Sequence, residues 1–266
     1  DSGRAVVGRL GGNKLELTPI HRFPNGPLRI LDGYYWDVLR LFAEMKQGLQ
    51  IYRNGYGSSL EGIGVDTWGV DYGLLDKNGA LIGNPRNYRD PRTDGMLQAA
   101  FERVPREEIF ETTGIQFMQI NTLYQLLSMK LGGDVALDQA ETLLMMPDLF
   151  NYWLTGVKTS EFSIATTTQF YDPRRRDWAR PLLEKMGLPT HILQPIIQPG
   201  TIVGDLRPEI AEEAGLDPVP VIAPACHDTG SAVAAVPAQS GNFAYISSGT
   251  WSLMGLEVRE PVISKE

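Results

Sequence analysis

The chain has 266 residues, room for one large domain or two smaller ones, and a 42% hydrophobic content that can bury a sizeable core. Its formal net charge is −8 and it carries no basic stripe, which argues against nucleic acid as a partner; an anionic substrate would need local Arg, Lys or Mg²⁺. The one cysteine, Cys226, leaves no disulfide within these residues, and no apolar run approaches a membrane span, so no membrane partner and a cytoplasmic location are expected; the oligomeric state is left open.

In chain order, Asp1-Ser2-Gly3-Arg4 is small and turn-forming and is followed at once by a strand over 5–10. Gly11-Gly12-Asn13 turns the chain, and 14–23 alternates apolar and polar as a returning hairpin strand does. A hairpin needs a neighbour to bury its face, so a first strand upstream of Asp1 is expected; a frayed terminus is the other reading of residues 1–4. Residues 34–52, with Trp36, Val38, Leu41, Phe42, Met45 and Leu49, have the spacing of an amphipathic helix.

A buried strand over 60–65 then runs into Asp66-Thr67-Trp68-Gly69-Val70-Asp71-Tyr72. Gly69 has no Cβ and admits a backbone or a ligand. Trp68 either stacks on a sugar ring or fills the core, with the core favoured. Asp66 and Asp71 make no glycosidase pair by themselves, because sequence supplies no separation between them. Asp76-Lys77-Asn78-Gly79 predicts a hairpin turn. Arg89 and Arg92 bind a phosphate or, more commonly for such residues, pair with Asp90 and Asp94.

Residues 93–131 read as mostly helical, broken near Pro105 and Gly114. An apolar stretch over 142–146 leads to Pro147-Asp148, which opens another helix through Leu154. Residues 160–168 are rich in Ser and Thr, whose hydroxyls cap helices and satisfy turns. Short helices are expected over 181–186 and 208–214 and a short strand over 202–204; His21 and His191 belong to no cluster.

The apolar run 219–225 reads as a buried strand. It stops at Cys226-His227-Asp228-Thr229-Gly230, and a helix begins over 231–236. A His and an Asp thus sit side by side in a strand-to-helix turn, the end of an α/β sheet where ligands bind. The alternative is that Asp228 or Thr229 merely caps the helix. A Cys226–His227 nucleophile is a rival of another class, disfavoured because neighbours on a tight turn point apart. Finally, 242–258 reads as strand, turn, strand. The Ser248-Gly249-Thr250 turn either offers N–H and O–H groups to phosphate or is a plain hairpin turn.

Taken together, several words in this order resemble the FGGY family of carbohydrate kinases, and within it the branch acting on L-rhamnulose. They are SGR at Ser2–Arg4, IHRF at Ile20–Phe23, GVDTWGVDYGLLD at Gly64–Asp76 and YRDPRTDG at Tyr88–Gly95. They continue with TGIQF at Thr113–Phe117, NTLYQL at Asn121–Leu126, MPDLFNYWLTG at Met146–Gly156 and ATTTQ at Ala165–Gln169. The last are HDTGSAV at His227–Val233 and SSGTWSLMG at Ser247–Gly255.

The resemblance implies an α/β, actin-like ATPase or ribonuclease-H-like fold, with the first domain nearly complete and the second only begun. Residues 1–240 would be the sugar-binding domain lacking its first strand. Residues 241–266 would be the first hairpin of the ATP-binding domain. The family's opening Asp-x-Gly signature and its later glycine-rich adenosine motif are not in these residues, which puts catalysis by this piece alone in question.

The implied reaction is ATP-dependent phosphorylation of O1 of L-rhamnulose, giving L-rhamnulose 1-phosphate and ADP in L-rhamnose catabolism, with ATP and Mg²⁺ as cofactors. By resemblance, Asp228 is the general base, and Gly69, His227 and Thr229 join it on the sugar. Asp1, Ser2, Gly3 and Arg4 on one side and Thr250 on the other match the two phosphate loops, and no metal ligand is assigned. Asp66, Trp68, Tyr72 and Asn121 are further candidates for the pocket wall. The alternatives are a kinase of this fold for another sugar, such as L-fuculose or a ketopentose, and a non-catalytic sugar-binding module.

Overall fold

The computed structural model describes residues 2–239, 241, 243–249 and 252–264. Strands Ser2–Gly11 and Lys14–Pro24 form the expected antiparallel hairpin, bulged between Ala5 and Val6. Gly12 and Asn13 join them with φ of 54° and 61°, the left-handed pair whose twist suits a two-residue hairpin turn. The expected helix over 34–52 starts later, at Val38–Tyr56, because Asp37 caps it by accepting the Arg40 N–H at 3.2 Å. Tyr34 and Tyr35 belong instead to the short strand Gly33–Tyr35, paired with Leu28–Ile30.

The interior is divided by one antiparallel pair, Tyr72–Leu75 against Thr142–Met145. Alternation sends Tyr72, Leu74, Leu143 and Met145 into one apolar cluster and Leu75 and Leu144 into the other. Both faces are covered, which is why these strands read as nearly continuous apolar runs. The first cluster gathers the helices Met96–Phe101, Arg106–Thr113 and Thr122–Gly132, broken at Pro105 and Gly114 as the sequence predicts. The second is closed by helices Val38–Tyr56, Met146–Thr155 and Pro208–Ala214.

Neither of the strands expected over 60–65 and 219–225 forms at that length. The two stretches lie side by side in parallel, joined by isolated bridges at Ile63–Val221 and Thr67–His227, with a strand only over Pro220–Ile222. Four bonds hold them: Ile63 N–H to Pro220 O, Ile222 N–H to Ile63 O, Thr67 N–H to Cys226 O and Asp228 N–H to Thr67 O, all 2.8–2.9 Å. Pro224 stands where the next donor of a regular ladder would be, and proline has no N–H. The second stretch therefore bulges, advancing six residues while the first advances four.

The Arg89 and Arg92 side chains do not pair with Asp90 and Asp94 as expected, although the Arg92 backbone N–H donates to Asp90 Oδ1 at 3.0 Å. Asp90 is taken by Arg86 at 3.2 Å and by the Tyr34 N–H at 2.8 Å, while Asp94 accepts from Gln119. Arg89 lies over the Tyr88 ring, and Arg92 donates to the Gln125 side chain at 2.7 Å. The closing hairpin pairs Ala244–Ser248 with Ser252–Leu256 and leaves Ile246, Met254 and Leu256 exposed. Among the described residues no helix is long and apolar enough to cross a membrane.

Candidate functional site

The parallel pairing of the two stretches brings two turns together. On one is Thr67-Trp68-Gly69-Val70, on the other His227-Asp228-Thr229. A third segment, Ser160–Thr168, closes the back. Gly69 faces this junction: a Cβ built on it would lie 2.9 Å from Thr167 Cγ2 and 3.3 Å from His227 Nε2. Glycine is thus required by contact, since any larger residue would fill the gap between the histidine and the threonine.

The backbone beside Gly69 is strained. Val70, a β-branched residue, sits at φ 67°, a conformation such residues rarely adopt. Its N–H donates to Thr167 Oγ1 at 3.0 Å, and its carbonyl accepts from Thr122 Oγ1 at 2.7 Å and Gln125 Nε2 at 3.1 Å. Strain over-determined in this way is a usual mark of functional positions.

Asp228 is the first residue of helix Asp228–Ala234, and His227 holds the cap position without a side-chain capping bond. The capping alternative for Asp228 and Thr229 therefore fails on geometry. The Asp228 backbone N–H goes to Thr67 O, and its carboxyl, 59% exposed, accepts only from the adjoining Thr229 N–H and hydroxyl among the bonds seen here. His227 Nε2 stands 3.5 Å from Asp228 Oδ1. Burial lowers the His227 pKa against the opposing charges of Asp228 and Glu161, so the ring is neutral near neutral pH. Protein crowding around Asp66, then the Asp228 charge, raises the Asp66 pKa, while Arg4 acts in the opposite sense. Asp66, Asp228 and Arg4 thus share one electrostatic neighbourhood.

The remaining candidates are distributed differently. Trp68 packs against Trp36 with ring centroids 4.2 Å apart and planes tilted by 37°, and both indole N–H groups donate to Asp71 Oδ2, at 3.0 and 2.6 Å. Trp68 is a half-buried wall pinned from behind, and Asp71 is its buried anchor. Tyr72 turns away into the core, where its hydroxyl meets Met129 Sδ and burial pushes its pKa up to about 12. Asn121 is also buried, bracing Gln169 and the Gln116 carbonyl. Ser2, Gly3 and Arg4 lie in a strand, paired with Pro24, Phe23 and Arg22, where a phosphate loop was expected. The pairing of Ser2 with Pro24 continues the hairpin to its end, so no loop remains over these three. Asp1 and Thr250 lie outside the described residues.

Sequence reasoning missed Glu161 as part of this assembly. It is fully buried and accepts from the Ser163 N–H, the Ser163 hydroxyl, the Ile164 N–H and the Cys226 N–H. The hydroxyls of Thr166, Thr167 and Thr168 return to carbonyls three residues back, as a capping segment would, but Ser163 and Thr167 also reach the two turns. A buried acid inside a Ser/Thr-rich stretch was the available signal. Cys226 is buried, and burial followed by the charges of Asp148 and Glu161 pushes its thiol pKa far up. A thiolate nucleophile is disfavoured there. Among the described residues no group of three or more His, Cys, Asp and Glu side chains is placed to hold a metal.

Comparison with known proteins bears on this arrangement. The model of the FGGY family of carbohydrate kinases, N-terminal domain, matches residues 34–235. The chain is 44% identical over its whole length to a rhamnulokinase of Bacteroides thetaiotaomicron, covering 54% of that protein. It is 42% identical over 98% of its length to a rhamnulokinase of Oceanobacillus iheyensis, covering 55% of that one. The chain thus spans about half the length of the curated relatives it matches. Among solved structures, a carbohydrate kinase from Novosphingobium aromaticivorans superposes with a TM-score of 0.82 at 23% identity, over 99% of this chain and 55% of that one. A xylulose kinase from Lactobacillus acidophilus gives 0.74 at 16% identity, over 83% and 45%. At such identities the likeness shows the fold, the α/β actin-like ATPase architecture.

Proposed function

The chain belongs to the FGGY family of carbohydrate kinases, and from that premise we propose that the whole protein phosphorylates O1 of L-rhamnulose, giving L-rhamnulose 1-phosphate and ADP. Its place would be L-rhamnose catabolism in the cytoplasm. The support for the sugar is the 42–44% identity to rhamnulokinases of two organisms. The observation that carries the site is the junction of Gly69 with His227-Asp228-Thr229, where the exposed Asp228 carboxyl stands 3.5 Å from the His227 ring that borders the space left by Gly69.

In this reading the sugar rests against Gly69, His227 and Thr229, with the Trp68 edge as wall. Asp228 accepts the proton of the O1 hydroxyl as that oxygen attacks. A sugar hydroxyl is a poor nucleophile until its proton has somewhere to go. The neutral His227 ring can donate one hydrogen bond and accept another, which suits a polyhydroxy ligand. Phosphoryl transfer depends chiefly on alignment and charge stabilisation, so rigid positioning of these groups is the protein's main contribution.

ATP supplies the phosphoryl group when bound. Arg4 fits its phosphates, because its charge already acts on the cleft carboxyl Asp66. Ser2 and Gly3 beside it, with Asp1 and Thr250, are assigned to the nucleotide on family resemblance. The described residues do not fit a Mg²⁺ site of their own, since no group of three or more His, Cys, Asp and Glu side chains among them is placed to hold a metal. No step is therefore assigned to the metal. We also place the division between sugar-binding and nucleotide-binding domains near residue 240.

The test is calorimetric titration of L-rhamnulose, L-fuculose and D-xylulose into the full-length protein, followed by ADP release with each. Selective binding and turnover of L-rhamnulose is expected. Preference for another ketose would reassign the sugar within the family, and binding without ADP release would favour a sugar-binding module.

A further inference from the structure

Two backbone donors at the head of the His227–Asp228 turn lie outside the parallel pairing, the first displaced from it by the bulge at Pro224 and the second pointing away from the Ile63–Thr67 stretch. These are the N–H groups of Cys226 and His227. Both are satisfied from one place. The Cys226 N–H donates to Glu161 Oε2 at 3.0 Å, and the His227 N–H donates to Ser163 Oγ at 3.1 Å. The Ser163 hydroxyl in turn donates to Glu161 Oε2 at 2.6 Å, which fixes its proton and aims a lone pair at His227. Ser163 Oγ is therefore held as an acceptor by Glu161. The same carboxyl caps the short helix Phe162–Thr166, whose Thr167 neighbour sets the opposite wall at Gly69 and Val70.

We propose that Glu161, acting through Ser163, is a positioning residue that sets the height of the His227–Asp228 turn against Gly69. This rests on the reading of Asp228 as the proton acceptor. Catalysis by alignment is sensitive to such a device, because a displacement of about 1 Å at a reacting group can cost roughly 100-fold in rate. Helix capping alone does not account for the arrangement. A cap needs the bonds to Ser163 and Ile164, whereas the bond to Cys226 leaves the helix and crosses to another segment 65 positions on.

Two substitutions separate the roles. In Glu161→Asp the residue remains a good helix cap, but its carboxyl is one methylene short of the Cys226 N–H. In Ser163→Ala the acceptor for the His227 N–H is removed, and Ser163→Thr restores it. The full-length protein and these variants would be compared by steady-state kinetics with L-rhamnulose and by site-resolved amide hydrogen exchange. Thr166→Ala, which deletes a hydroxyl bonded only within the same segment, serves as the structural control.

For Glu161→Asp and Ser163→Ala, kcat is expected to fall by about 10- to 100-fold with the sugar KM within about twofold. The exposed amide, Cys226 or His227 respectively, should exchange at least about tenfold faster. Ser163→Thr and Thr166→Ala should stay close to the unaltered protein in both. Unchanged exchange at both amides overturns the proposal, and so does faster exchange with unchanged kcat. If the unaltered protein turns over no ketose, the kinase reading falls, while the exchange arm still decides whether Glu161 and Ser163 hold the turn.

Discussion

The backbone N–H of Asp228 donates to the carbonyl oxygen of Thr67 at 2.9 Å. This one bond joins turns 161 positions apart and brings Asp228, beside His227, to the turn that carries Gly69. It uses the backbone of Asp228 and leaves the side chain free for chemistry. It also ties the helix start to the strained Val70 turn, so neither can shift without the other.

The first prediction concerns that side chain. Asp228→Asn in the full-length protein should lower kcat by roughly 10²- to 10⁴-fold, the usual worth of a positioned general base. Sugar affinity and thermal stability should change little, since the carboxyl is largely exposed and does not hold the cap position. Near-normal turnover would remove Asp228 from the mechanism.

Gly69→Ala should destabilise the fold by about 1–3 kcal/mol and weaken sugar binding, because the new methyl meets Thr167 Cγ2 at 2.9 Å. Thr167 cannot yield easily, as its hydroxyl is bonded to Ile164 O and to the Val70 N–H. Thr167→Ser deletes Cγ2 and keeps those bonds. The double variant should recover much of the stability loss, giving a coupling energy of at least about 0.5 kcal/mol by chemical denaturation. Additive losses would mean that the clash lies elsewhere.

Asp71 makes a pH prediction. Complete burial pushes its pKa up to about 6, against the bonds from Trp36, Gln125, Trp68 and Tyr88 that lower it. Its folded pKa exceeds its unfolded one, so between about pH 4 and 6 the folded state binds more protons and stability falls as pH rises. About two pH units correspond to about 3 kcal/mol. Denaturation of the protein and of Asp71→Asn across this range should show a slope in the first that is much reduced in the second. Parallel curves would refute the assignment.

Cys226 should be inert. Its buried thiol resists ionisation, so dithionitrobenzoate near neutral pH should label it only after denaturation. Rapid labelling of the folded protein with loss of activity would revive a thiol chemistry that this geometry otherwise opposes.

Much of the fold was legible as pattern. The hairpin turn at Gly12-Asn13, the breaks at Pro105 and Gly114 and the helix over Pro208–Ala214 follow from local backbone preferences, which act over a few residues. The adjacency of His227 and Asp228 in a strand-to-helix turn was visible for the same reason. Tyr72 shows the limit: it follows the Asp66–Asp71 cluster directly, yet strand alternation sends it into the core beside Met129. Arg92 likewise stands next to acidic residues and bonds to Gln125, 33 positions on. Only the tertiary structure decided that Gly69 meets Thr167 and His227, or that Glu161 takes the Cys226 and Ser163 donors. Local preference sets which turn a segment makes. Which turns meet depends on burying both faces of the central strands and on finding partners for donors that the ladder does not use, such as the Cys226 N–H displaced by the bulge at Pro224, and those demands are settled by the whole chain at once.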